Sequence, residues 1–353
     1  MISSDQPVSV RQGEEIDLKS LNKHLKENSS IGFVTEQKQF PGGYSNLTYL
    51  LTTGQGEYVL RRPPAGAAIK SAHDMGREFN VLSLLKNSYS RIPAPIIYCQ
   101  DEKIIGSTFY IMERIKGVIL RPSSVKEIRV TSSEMRKISE SLVDNLAALH
   151  SLDIAKTNLS QLGKPEGYVQ RQVEGWTKRY IAAQTDPITQ MDEISAWLSA
   201  NLPAEVKPTL LHNDYKYDNL VLNSNDLSEI IGVLDWEMAT VGDPGMDLGA
   251  SLAYWAEEGD GDLAKVFNIS WLPGNLTRKE VVERYTEKSG RMIINPVFYY
   301  VFGLYKNAVI AQQIYARWKQ GHSKDGRFGT LIHVIKDLAR RGANAINTNS
   351  LMS

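Results

Sequence analysis

The sequence predicts an α+β protein in two parts, a small sheet-bearing first third and a longer helical remainder, with a cleft between them. Three observations carry this. Short runs rich in β-branched and aromatic residues, separated by glycine and proline punctuation, fill residues 32–112. From residue 131 onward, apolar residues recur at three- and four-residue steps. And 353 residues, 42% of them apolar, are enough chain for two units with their own cores and too apolar for a disordered one.

The elements follow in order. After a polar leader, Ile16, Leu18, Leu21 and Leu25 mark a short amphipathic helix. "FVTEQKQF", "NLTYLLTT" and "EYVLRR" read as strands, parted by "PGG" and "TGQG". One helix interrupts them, "MGREFNVLSLLKN", with Phe79, Leu82 and Leu85 on one stripe. "IPAPIIYC" and "STFYIMERIKG" are further strands, and the sheet part closes near residues 115–117. Thr131 and Glu134 then form a capping box before a helix carrying Met135, Ile138, Leu142, Leu146 and Leu149. His150 ends it and either caps its carbonyls or packs in the core. Further helices are expected at 170–184, 190–201, 246–256, 277–289, 296–320 and 328–344. No internal repeat or low-complexity tract interrupts the pattern.

Composition excludes several function classes. Lys plus Arg equals Asp plus Glu, 40 each, so no net field recruits nucleic acid or a membrane surface. A single cysteine, Cys99, rules out an internal disulfide and a cysteine zinc cluster, fits a reducing compartment, and reads as a small core or edge residue. The start "MISSDQPVSVRQGEE" lacks the basic and apolar regions of a secretory signal. The apolar block 297–304 is far short of a membrane span. The expectation is a cytoplasmic protein.

The chemistry concentrates in "LLHNDYKYDNLVLN" and "IGVLDWEMATVGDPGMDLG". Asp214, Lys216 and Asn219 lie between two strand-like runs, and a tight loop between paired strands would hold them at one edge of the cleft. Asp235 follows the next apolar run and would arrive at the same edge. A carboxylate with an amide oxygen is a hard-oxygen pair suited to Mg2+, which binds through one or two carboxylates plus substrate phosphates. A second carboxylate can orient a hydroxyl and accept its proton, and a nearby lysine can neutralise a transferring phosphoryl group. Those are the parts that phosphoryl transfer needs. His212 reads as a hydrogen-bonded strut of the loop.

The spacing His212-x-Asp214-x-Lys216-x-x-Asn219 resembles the catalytic loop of the protein-kinase-like superfamily. "LDWEMATVGDPGMDLG" is similar to the aminoglycoside phosphotransferase (APH) and choline kinase branch. In the same order, "FPGGYSNLTYLLTT" resembles that branch's nucleotide loop, "YVLRRPP" its third strand, "REFNVLSLL" its glutamate-bearing helix and "FYIMERIKG" its hinge. The resemblance implies a protein-kinase-like bilobal fold, with an antiparallel-sheet, nucleotide-binding N-lobe at residues 1–115. A helical C-lobe at 116–353 would hold the catalytic loop and substrate site. It implies ATP and Mg2+ as cofactors, Asp214 and Lys216 as catalytic residues, and Asn219 and Asp235 as metal ligands. Gly42, Gly43, Ser45 and Asn46 would meet the phosphates, Arg61 would grip them with Glu78 as its partner, and Glu113 and Ile115 would meet adenine. Asp247 would brace the loop and Asp243 shape the turn before it. Trp236 and Glu237 either touch a ligand or pack. Two features depart from protein kinases: Arg61 stands where a lysine is usual, and the nucleotide loop lacks Gly-x-Gly-x-x-Gly.

On the substrate side, residues 297–341 hold eight basic residues (Lys306, Arg317, Lys319, Lys324, Arg327, Lys336, Arg340, Arg341) against Asp325 and Asp337. This is either a solvated face or a surface for an anionic substrate. An acidic patch at Glu257, Glu258, Asp260 and Asp262 stands against the second choice. "YVLRRPP", with Gly167, Tyr168, Arg171, Gln172 and Trp176, resembles the kinase-like domain associated with acyl-CoA dehydrogenases, which implies a hydroxyacyl-CoA acceptor. The alternatives are an aminoglycoside, choline or amino-alcohol acceptor, or a catalytically silent nucleotide-binding module.

Overall fold

A computed structural model describes residues 6–41, 46–64, 74–125, 129–323 and 325–352. Its contacts divide into two compact units: Met1–Ile119 with Asn219–Ala239, and Leu120–Asp218 with Thr240–Ser353.

In the first unit, helix α1 (Leu18–Asn28) precedes β1 (Val34–Gln39), β2 (Leu47–Thr53) and β3 (Gly56–Arg62). Helix α2 (Met75–Leu85), β4 (Pro95–Cys99) and β5 (Phe109–Glu113) follow. The strands form an antiparallel sheet in the order β1-β2-β3-β5-β4. Strand alternation sorts the side chains onto two faces. Leu47, Tyr49, Leu51, Leu60, Phe109 and Ile111 meet Leu21 and Leu25 of α1 in one apolar cluster, which also takes in Cys99. On the other face Arg61 sits opposite Tyr110 in the strand register. There α2 packs with Phe79 stacked on Tyr98, ring centroids 5.8 Å apart.

Four three- or four-residue strands come later in the chain: β6 (Thr209–Leu211), β7 (Leu220–Leu222), β8 (Ile230–Val233) and β9 (Thr240–Gly242). The expected hairpin around Asp214 does not form. β6 pairs with β9 and β7 pairs with β8, in two separate ribbons. The reason is local: the Asp247 carboxylate takes the N–H groups of His212 and Asn213 directly after β6, so the chain curls there instead of turning back as a hairpin. The β7–β8 ribbon instead docks on the segment after β5, with Val118 and Leu222 exchanging both backbone hydrogen bonds at 2.8 Å. Gly117 permits this approach, since a Cβ there would run into the Leu222 carbonyl and the Val221 side chain.

The second unit is helical: α3 (Ser132–Leu149), α4 (Tyr168–Ala183), α5 (Thr189–Ala200), α6 (Pro244–Tyr254), the single turn α7 (Asp262–Lys265), α8 (Arg278–Ser289), α9 (Pro296–Lys319) and α10 (Leu331–Thr348). The Thr131–Glu134 capping box opens α3 as expected. α10 starts three residues late because a 3-10 turn, Gly326–Thr330, precedes it. Among the described residues no helix is long and apolar enough to cross a membrane.

One contact sets the helical unit's geometry. α6 is buried from Pro244 to Ala253 and lies against α9. Gly249 and Gly303 face each other there, so that a Cβ on Gly303 would strike the Gly249 carbonyl and one on Gly249 the Tyr299 backbone. We expect Gly303→Ala to cost about 2–3 kcal/mol of stability through this overpacking, read by urea denaturation. A loss near zero would mean that α6 and α9 part freely.

Candidate active site

The helical unit holds the loop after β6. Asp247, on the first turns of α6, is fully buried, and its carboxylate accepts the backbone N–H groups of His212 (2.6 Å) and Asn213 (2.7 Å). His150 reaches the same carboxylate through Nε2 at 3.1 Å, and its Nδ1 meets the Tyr285 hydroxyl at 2.8 Å. His150 is the C-cap residue of α3 and is fully buried, as the sequence reading allowed, and its ring is also a link in this chain of hydrogen bonds. Burial alone would push the Asp247 carboxyl up; the hydrogen bond and charge of His150, with the contribution of His212, hold it below the ordinary carboxylate value. Asp243 caps α6 by accepting the Gly245 N–H at 2.7 Å, and Tyr299 donates to it at 2.9 Å.

The loop itself turns sharply at Asn213, whose φ is +65°, a conformation that asparagine tolerates better than most residues. The next residue, Asp214, donates its N–H to His212 Nδ1 at 3.2 Å, so that ring nitrogen is an acceptor. Asp214 Oδ2 lies 3.1 Å from Lys216 Nζ, and the ammonium stands 4.6 Å from the centre of the Tyr254 ring. Burial would push the Lys216 ammonium down, but Asp214, Tyr254 and Asp218 hold it above the usual lysine range, so it stays charged.

α6 serves this loop along one stripe. Asp247 takes the N–H groups of residues 212 and 213, Ser251 donates to the Tyr215 carbonyl at 2.8 Å, and Tyr254 lies under Lys216. The intervals of four and three residues are those of a single helix face. Ser251 and Tyr254 were not expected, although that spacing behind Asp247 is visible in the sequence.

The sheet unit holds the other predicted residues. Leu220 pairs with Val233, and the Leu234 N–H reaches the Asn219 carbonyl at 2.8 Å. This register brings Asn219 and Asp235 to one end of the β7–β8 ribbon. Asp235 has φ +67°, and its Oδ1 lies 3.3 Å from both terminal nitrogens of Arg61. Arg61 also pairs with Glu78. Burial pushes the Glu78 carboxyl up against the pull of Arg61, whose guanidinium, surrounded by Glu78, Tyr110, Asp235 and Glu237, stays charged. Trp236 is fully buried, donating its indole N–H to the Val233 carbonyl at 2.9 Å. Asn46 donates to Glu237 at 3.1 Å.

Glu113 ends β5, its N–H bonded to the Ala94 carbonyl at 2.9 Å, and Ile115 packs over Gly232 of β8. Gly42, Gly43 and Ser45 lie outside the described residues. The donor set at the ribbon's end is two hard oxygens from Asn219 and Asp235. That fits Mg2+ carried in on a nucleotide's phosphates rather than a closed protein cage. The described residues contain no group of three or more His, Cys, Asp or Glu that could hold a metal.

The basic excess at 297–341 is largely accounted for inside the helical unit. Lys306 and Arg341 are buried, while Lys319 pairs with Asp186, Arg327 with Asp325 and Arg340 with Asp337. Lys324 lies outside the described residues. In the acidic patch, Asp260 and Glu257 are taken up by the buried Arg278.

Asp247→Asn should lower stability by about 3 kcal/mol at neutral pH, because an amide cannot accept from all three donors without presenting an N–H to one of them. The Asp247 carboxyl is depressed, so its contribution is fully present above the ordinary carboxylate pKa of about 4 and fades as pH falls below it. Urea denaturation of both proteins at several pH values checks this. The gap should hold from neutral pH to about 5 and narrow in acid, and a gap independent of pH down to 3 would contradict it.

Residues 36–281 match the model of the phosphotransferase enzyme family, APH. Acyl-CoA dehydrogenase family member 11 of Rattus norvegicus is 34% identical over 345 residues, covering 95% of this chain. Family member 10 of Mus musculus is 33% identical over 346 residues, covering 94%. This chain spans only 44% of the first relative's length and 31% of the second's. A solved structure from Ralstonia eutropha, provisionally described as an aminoglycoside phosphotransferase, matches with TM-score 0.81 and 28% identity, covering 95% of this chain and 99% of that one. The GDP complex of an aminoglycoside 2'-phosphotransferase matches with TM-score 0.64 at 14% identity, covering 94% and 98%, a likeness of fold alone. With an antiparallel-sheet unit, a helical unit and this match over most of its length, the chain belongs to the APH phosphotransferase family and has its protein-kinase-like fold.

Proposed function

We propose that this chain is an ATP- and Mg2+-dependent kinase that phosphorylates a hydroxyl of a small metabolite, a hydroxyacyl-CoA ester. The observation that carries the reading is the Asp214–Lys216 pair, a carboxylate and an ammonium 3.1 Å apart on a loop whose backbone Asp247 pins. Such a pair has the parts to receive a hydroxyl and steady the group it attacks.

Asp214 accepts the hydrogen bond of the incoming alcohol and aims its oxygen at the γ-phosphorus. As the new O–P bond forms, the bond to the β–γ bridging oxygen breaks, ADP leaves, and the alcohol's proton passes to the Asp214 carboxylate. Lys216 stays protonated beside it and offsets negative charge on the phosphoryl oxygens. Asn219 and Asp235 would hold Mg2+, which draws charge from the nucleotide phosphates when bound. Arg61 and Asn46, with Gly42, Gly43 and Ser45, would meet those phosphates, and Glu113 and Ile115 the adenine. Complexes with ADP or GDP among the fold neighbours support nucleotide use.

The acyl-CoA dehydrogenase relatives support the CoA ester. The alternative acceptors are cationic: an aminoglycoside, choline or an amino-alcohol.

Single-turnover phosphate transfer across hydroxyacyl-CoA esters and amino-alcohols tests the proposal. Asp214→Asn should slow transfer by roughly 10²–10⁴-fold. A loss of only a few fold would remove Asp214 from the role. Asn219→Ala and Asp235→Asn should raise the magnesium concentration needed for half-maximal rate at least tenfold or abolish turnover. Stabilisation by CoA esters in a thermal-shift screen, without antibiotic resistance in cells, would favour the ester over the cationic acceptors. ATP binding with no transfer to any of them would point to a silent module.

A further inference from the structure

Lys306 is one of the basic residues of the 297–341 segment. It lies inside α9, is 5% exposed, and directs Nζ to the Asn213 carbonyl at 2.8 Å. A buried ammonium ordinarily meets a carboxylate; this one is spent on a backbone oxygen. The oxygen belongs to the peptide joining Asn213 to Asp214, and the N–H of that same peptide goes to His212 Nδ1 at 3.2 Å. Both ends of one peptide plane are therefore held, the carbonyl by Lys306 and the amide by His212. The preceding peptide is held by Asp247 through the Asn213 N–H.

A residue at φ +65° between two fastened peptides has little freedom to turn. A flip of the peptide carrying Asp214 is the motion that would swing its carboxylate away, and Lys306 opposes it. The Trp176 ring of α4, whose centre is 6.0 Å from Nζ, walls the ammonium in. Burial pushes the Lys306 ammonium down, and the carboxylates of Asp214 and Asp247 act the other way.

We propose that Lys306 is a positioning residue for Asp214, locking the Asn213–Asp214 peptide through its carbonyl so that the carboxylate stays aimed at the acceptor hydroxyl. The proposal rests on the reading of Asp214 as the hydroxyl-orienting group, and its test separates the two.

Lys306→Met, Lys306→Gln and Lys306→Arg are compared with wild type and Asp214→Asn. The readouts are phosphate transfer, slow ATP hydrolysis with water as acceptor, thermal melting, and the crystal structure of the methionine or glutamine variant. Lys306→Met should lower kcat about 30-fold or more, with KM for nucleotide and acceptor within about threefold of wild type. Lys306→Arg, which can still donate to the carbonyl, should recover most of that loss. The crystal structure should show the Asn213–Asp214 peptide rotated. Three results would overturn the proposal: kcat kept within threefold, kcat kept with a raised acceptor KM (a binding role), or a peptide unmoved while melting temperature alone falls. Should the methionine variant not fold, the glutamine variant decides by peptide position and kcat together. If Asp214→Asn loses nothing, the catalytic reading fails, and the peptide's position in the crystal still judges the lock.

Discussion

One fully buried carboxylate organises the helical unit. Asp247 carries its charge into the interior because three donors meet it there: two loop N–H groups and His150. Each would be an unsatisfied polar group without it, and it would be an unpaired charge without them. The strain at Asn213 follows from this arrangement. A loop that aims two successive N–H groups at one carboxylate must curl tightly, and the residue in the curl takes a positive φ.

Helix packing extends that constraint to the other side of the loop. Because Gly249 and Gly303 carry no side chains, α6 and α9 approach to backbone contact. Asp247 on α6 grips the Asn213 N–H, and Lys306 on α9, one turn beyond Gly303, grips its carbonyl. Separating the two helices would release one hand or the other. Hence the two glycines and the two charged residues form a single device, in which apolar close packing sets the reach of polar groups.

Much of this was legible in the sequence, for physical reasons that also mark where legibility ended. The strands of the first unit and the long helices show because their patterns repeat over many residues, and the Thr131–Glu134 cap because it closes within one turn. The polar run from His212 to Asn219 stood out as costly to place beside apolar strands. The ribbon pairings did not show: three-residue strands carry almost no periodicity, and β6 finds β9 only some thirty residues on. Tyr254 and Lys306 were hidden differently. Each belongs to a helix that was expected, yet its role depends on which neighbour that face meets. Lys306 in particular was counted with surface cations, since composition cannot separate a buried ammonium from a solvated one.

Arginine in place of lysine on β3 has a physical consequence in the sheet unit. A guanidinium is a planar fork that can serve two carboxylates at once, whereas an ammonium is a point charge. Arg61 uses the fork, pairing with buried Glu78 through one nitrogen and reaching Asp235 with two. The two contacts are unequal. Those to Asp235, at 3.3 Å, are long for charge-assisted hydrogen bonds, which run at about 2.7–2.9 Å, and Asp235 is the more exposed partner. Glu78 is enclosed and would be left as an uncompensated buried charge, so it holds Arg61 in place. At Asp235, 34% exposed, water can take the place of the guanidinium, so the arginine keeps its charge and its anchor on Glu78 whichever way that contact goes.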